Sequence, residues 1–183
     1  MNRTKLHNKI LWITETAVML ALLVAVQGIT SGFGNQILTG SCVNLILAVT
    51  ALMVGFWGGV SVAAVSPFLA FLFNIGPKFI QLLPAIALGN ALLVAVLSLI
   101  IGKKAQPIWK YVLGAGAAAV AKFAGLYLLM VKLLVPSLVS GGVIPQKAEA
   151  VLTAQFSWPQ LITALIGCGV AVLILPVLRK AHK

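Results

Sequence analysis

Glu15-Thr16-Ala17-Val18-Met19-Leu20-Ala21-Leu22-Leu23-Val24-Ala25-Val26-Gln27 is the stretch on which the reading of this chain turns. Ala17, Ala21 and Ala25 recur every fourth residue, so on a helix they line up as a nearly straight strip of small side chains. The rest of the run is mostly Leu, Val and Met, a composition suited to lipid or to an apolar core. Small residues let a second backbone come close, which is how helices associate where water does not drive them together. The strip therefore either packs against a helix of the same chain or serves as a docking face for another protein. The run alone leaves both open.

The surrounding chain keeps the same character. Of its 183 residues, 61% are hydrophobic and only 8% are charged. Soluble domains carry about 25% charged residues, so this is an integral membrane protein built of apolar helices. A cleavable signal peptide is not expected, because apolar segments continue to residue 178 and no small-residue cleavage site follows the first of them. The net charge of +11 has the magnitude of a nucleic-acid binder, but its distribution excludes that class. Arg3, Lys5 and Lys9 precede the first apolar run, Lys103, Lys104 and Lys110 sit mid-chain, and Arg179, Lys180 and Lys183 close it. Such clusters flank membrane segments and face the cytoplasm and its anionic lipids. Cys42 and Cys168 have no metal-ligand spacing and read as buried free thiols.

Working outward from the first run, the pattern predicts an all-α integral membrane protein with six transmembrane helices in a single membrane domain, 1–183. The spans fall at about 11–28, 41–56, 58–73, 79–101, 108–134 and 158–178. The second and third are short for a bilayer that needs about 20 residues. Pro67 is expected to kink the third, Pro77 to open the fourth and Pro84 to kink it. A glycine-rich polar connection is expected over 29–40, and the longest polar connection over 136–155. Ser157-Trp158-Pro159-Gln160 reads as a capping box that starts the last span. An even number of spans puts the N- and C-termini on one side, and the basic clusters make that side cytoplasmic. The glycine-rich, polar loops then face outward.

Lys122 is the residue most in need of explanation. It lies about 20 Å along a helix that starts near Ile108, past the midplane of a core about 30 Å thick. A lysine there costs about 2.5–3.5 kcal/mol to insert, so it normally faces a protein interior or a wet cavity. The chain has only two carboxylates, Glu15 near the cytoplasmic end of the first span and Glu149 in an outer loop. Lys122 therefore either snorkels to the outer interface or floors an outward-opening cavity, where it meets anionic or carbonyl oxygens of a ligand. Asn90 lies mid-span and is either interhelical glue or part of that floor. Gln27, Asn44, Gln81 and Gln160 all fall in the outer portions of their spans, while Lys78 and Lys132 read as interfacial.

Other classes find less support. Glu15 raises the alternative of a proton-coupled exporter, yet it also suits the positive end of the first helix dipole. A third reading is a membrane assembly protein without transport. No G-x-x-x-x-G-K-[ST] phosphate loop and no H-E-x-x-H occur, and the two histidines, His7 and His182, lie in the tails. No enzyme is expected.

Six spans in under two hundred residues, basic termini and Ala17-x-x-x-Ala21-x-x-x-Ala25 resemble the substrate-binding (S) components of energy-coupling factor (ECF) transporters. Gly89-Asn90, Ala121-Lys122-Phe123 and Gln160-Leu161-Ile162-Thr163-Ala164 add to that resemblance. It implies a subunit of a bacterial plasma membrane importer that captures a vitamin or related micronutrient from outside with high affinity and topples in the membrane to deliver it. It also implies a separate transmembrane coupling protein and two ATPase subunits, so that ATP is used by partners and no cofactor belongs to this chain. In the same way it makes Ala17, Ala21 and Ala25 the docking face. By position, the 34–36 loop with Asn35 is the expected lid and Lys122 with Asn90 the floor, while Asn44, Gln81, Trp158 and Gln160 are walls, Trp158 serving equally as an interfacial anchor. A lysine without a carboxylate partner favours a ligand with carboxylate, phosphate or amide oxygens. Pantothenate fits by charge, folate or a cobalamin-type corrinoid is left open, and cationic thiamine suits the lysine badly. Within the resemblance, biotin, riboflavin and thiamine are less favoured because the signatures of their subfamilies do not occur.

Overall fold

In lipid every backbone polar group must be satisfied within the chain, and runs this apolar do so as helices. The computed structural model describes residues 3–181, so His182 and Lys183 of the basic tail lie outside the described residues, as does the side chain of Arg3. The helices are α1 (Arg3–Ser31), α2 (Gln36–Met53), α3 (Phe56–Leu72), α4 (Leu83–Ile100), α5 (Ile108–Leu126), α6 (Val135–Ser140), α7 (Gln146–Gln155) and α8 (Trp158–Ala181). Among the described residues five helical stretches are long and apolar enough to cross a membrane, and α3, with 17 residues, is a shorter sixth.

Local chemistry sets most boundaries. The 29–40 connection is mostly helical, because α1 runs on to Ser31 and Asn35 caps α2, its side-chain oxygen accepting from Ile37 N and Leu38 N. Only Gly32-Phe33-Gly34-Asn35 remains between the helices. The α2–α3 turn passes through Gly55 at φ 106°, where a Cβ would also meet Lys103 Cε at 2.5 Å. Pro67 stands inside α3. Pro84 sits in the first turn of α4, where its missing N–H is harmless, so it opens the helix and does not kink it. Pro77 lies ahead of a 3₁₀ turn at Ile80–Leu82 and does not open the span.

Two segments depart from expectation more strongly. Beyond Leu126 the fifth span widens into a π-helical stretch, Tyr127–Leu134, and then continues as α6. Pro136 has no N–H to return to the carbonyl of Lys132, so the α ladder is broken there in any case. The polar connection expected over 136–155 contains α6 and α7. Ala148 and Leu152 on one face of α7, with Ile144 just before the helix and Phe156 just after it, pack onto Leu82, Leu126, Met130 and Val135. The capping box does not form, because Ser157 Oγ donates to Ala154 O at 3.0 Å while Gln160 N bonds the Ser157 carbonyl.

The main core lies where α2, α3, α4, α5 and α8 meet, around Leu47, Ala51, Val62, Leu93, Leu97, Ala118 and Ala164. α1 stands at the edge, with Leu23 and Thr30 the only buried residues among its described side chains. At one end of the bundle Arg179 ties the close of α8 to the α4–α5 loop, donating to Gly102 O, Lys104 O and the Tyr111 hydroxyl at 2.8–3.2 Å. Lys103 abuts the α2–α3 turn at the same end, and Thr16 abuts Gly58. The opposite end gathers the close of α1, the start of α2, α7 and the start of α8, with Gln36 reaching the Gln155 carbonyl at 2.8 Å.

Candidate functional site

The buried face of α5 reads Gly114, Ala115, Ala118, Ala119, Lys122, Leu126, so small residues lead up to the lysine. They let neighbouring helices close in, and the lysine stem then runs between helices away from lipid. Close approach recurs around it. A Cβ on Gly89 of α4 would meet Leu126 Cγ at 2.5 Å, and one on Gly167 of α8 would meet Ser41 O and Asn44 Cβ of α2, both at 2.6 Å.

Lys122 is 3% exposed, and its Nζ donates to Asn44 Oδ1 at 2.6 Å and to Asn90 Oδ1 at 2.7 Å. An ammonium has only donors, which fixes both amides with their oxygens toward it. Asn44 Nδ2 must then point away, and it donates to Thr163 Oγ1 at 3.2 Å. The Thr163 hydroxyl passes its own proton to Gln160 O at 3.2 Å. One directed chain thus joins α4, α5, α2 and α8. Neither a snorkelling lysine nor an ion pair with Glu149 describes this arrangement. Lys122 is an interior cation held by neutral amide oxygens.

Lys122, Asn44 and Asn90 all line a cavity of about 340 Å³, with Gln27, Asn35, Ser66, Pro67 and Gln160 among its other walls. Near the α7–α8 turn, Gln36 Nε2 and Gln160 Nε2 converge on the Gln155 carbonyl at 2.8 and 3.0 Å, and all three residues also line it. The structure therefore gathers Asn35, Asn44, Asn90, Lys122 and Gln160 around one space. Gln81 is not among its lining residues but sits exposed in the 3₁₀ turn before α4, which rotates it outward. Trp158 is also outside the lining. It is 68% exposed and stacks on Phe123 at 6.3 Å, the setting of an interfacial anchor.

Sequence reasoning passed over Ser66, Thr163 and Gln155 as site residues, while Gln36 belongs to the 34–36 loop expected as the lid and does line the cavity. Thr163 follows Gln160 by three residues, a helical spacing that signals a shared face. Ser66 and Gln155 carried no comparable signal. Glu15 lies elsewhere, in a second and more apolar cavity of about 290 Å³ with Met19, Met53 and Leu178, toward the Arg179 end. Ala17, Ala21 and Ala25 are all exposed, so the strip is not used within the chain.

A family model described as the substrate-specific component of ECF transporters matches residues 13–179. No curated protein and no solved structure matches the chain.

Proposed function

We propose that this chain, which belongs to the family of substrate-specific components of ECF transporters, captures a small acceptor-rich micronutrient in the cavity floored by Lys122. Family membership makes it the substrate-capture subunit of an importer whose energy comes from an associated ECF module. The observation that carries the substrate reading is the Lys122 ammonium, 3% exposed and held by two amide oxygens. An ammonium has three protons to donate, and the third remains for a ligand atom at the cavity wall.

That floor selects for a carboxylate or for carbonyl oxygens and against a cation. The size of the space sharpens the choice. Pockets of 300–1,000 Å³ are usual for small ligands, and about 340 Å³ suits a compact hydroxy-acid amide such as pantothenate. Folate or a corrinoid would extend out through the mouth of this space. Vitamin uptake across a bacterial plasma membrane is the setting this reading supports. The exposed Ala17, Ala21 and Ala25 favour α1 as the face that meets the transmembrane coupling protein. An exporter relay through Glu15 gains no support, since that residue lies toward the other end of the bundle from the cavity.

The test is to purify the protein without added ligand, release what it retains and identify that compound by mass spectrometry. A single small carboxylate or amide, lost in Lys122→Met, is expected. A retained cation, or retention unchanged in Lys122→Met, overturns the reading.

A further inference from the structure

Hydroxyls in apolar helices normally satisfy themselves by bonding the carbonyl one turn back. In this chain Thr16, Thr30, Thr50, Ser61, Ser137 and Ser140 all do so, at 2.6–2.8 Å. Ser66 does not. It is 2% exposed, and its Oγ is buried with no hydrogen-bond partner among the described residues. Ser41 and Ser98 share that condition, but of the three only Ser66 lines the cavity that holds Lys122 and Asn90. An unsatisfied buried hydroxyl is costly, so one retained at a cavity wall signals a partner that arrives with the ligand.

The donor set defines that partner. Lys122 has a third proton to give, Asn90 turns its oxygen to the lysine and so offers its NH₂, and Ser66 adds an O–H. A group able to accept from several donors at once is a carboxylate. We infer that Ser66 is a ligand-contacting residue that donates its hydroxyl proton to the ligand carboxylate also held by Lys122, and so sets the preference for an acid over the corresponding neutral compound. The inference rests on the reading of this cavity as the substrate site.

Pantothenate and pantothenol, which carries a primary alcohol in place of the carboxylate, are the probes. Binding of each to the purified full chain in detergent is measured for wild type, Ser66→Ala, Ser66→Thr and the control Ser98→Ala. Wild type is expected to prefer pantothenate at least about tenfold, and Ser66→Ala to lose about tenfold for pantothenate while pantothenol changes little. Ser66→Thr restores much of the preference, and Ser98→Ala matches wild type. The thermal midpoint without ligand should be unchanged or higher in Ser66→Ala, since the hydroxyl lost had no partner. That separates a ligand contact from a structural role. If wild type discriminates and Ser66→Ala discriminates equally, the hydroxyl merely bonds its own helix and this inference alone falls. If wild type binds neither compound, or both alike, the carboxylate reading of the cavity falls with it.

Discussion

Lys122 Nζ has three protons, and Asn44 and Asn90 take two of them. The directed chain beyond Asn44 makes the two amides unequal. Asn44 is bonded on both sides, to Lys122 and to Thr163, whereas Asn90 keeps its NH₂ toward the cavity. Asn44→Ala should therefore act mainly on the fold, leaving a buried ammonium with one amide and costing about 1–3 kcal/mol, read as a lower thermal midpoint in detergent. Lys122→Met keeps the unbranched stem and removes the charge. It should lower ligand affinity about 10–100-fold, the range expected for a charge-assisted hydrogen bond, while the protein still elutes as a single folded species. Equal affinity in the variant would place the ligand elsewhere.

At the scale of elements, two helix contacts have opposite expected roles. Between α2 and α8, Gly167 stands where a Cβ would lie 2.6 Å from the Ser41 carbonyl, a backbone atom with little freedom to move. Gly167→Ala should push α8 off α2 and destabilise the protein by about 1–3 kcal/mol, and it should also weaken ligand binding, because Asn44 lies at the same contact. On α1 Ala17, Ala21 and Ala25 are left exposed by the described residues. Ala21→Trp should leave ligand affinity and thermal midpoint unchanged yet abolish co-purification with the coupling protein and ATPases. A variant that still assembles would assign the strip to lipid.

At the scale of the molecule, the bundle has two unlike ends. One carries Lys103, Lys104 and the Arg179 clasp, and the other carries the cavity mouth. If basic flanks stay inside, the mouth opens outward. In a Cys42→Ser background, Lys78→Cys should react with an impermeant thiol reagent on intact cells, and Lys104→Cys only after lysis. The reverse pattern would invert the orientation. Ligand binding should also stabilise the whole bundle by mass action, by about 2.7 kcal/mol at a hundredfold excess over Kd.

What residue order settled by itself was the solvent. Runs of apolar residues with 8% charge admit only backbone that satisfies itself, so an all-helical membrane bundle and its basic flanks were legible, while the two helices inside the 136–155 connection were not. The same holds for the lysine, since a cation amid apolar residues needs an interior partner wherever it points. Which partner it has was decided by packing. Asn44 and Asn90 are 78 and 32 residues away from it in the chain, and only the close approaches at Gly89 and Gly167 bring their helices within reach. Turn chemistry misled at Pro84, whose effect depends on whether a helix starts before or after it. It misled again at α7, whose apolar face is stable only against the end of α5 and the residues beyond it. Gln81 and Trp158 turned outward for the same reason, because depth along a span is a property of sequence but the direction a side chain faces depends on the neighbours its helix meets.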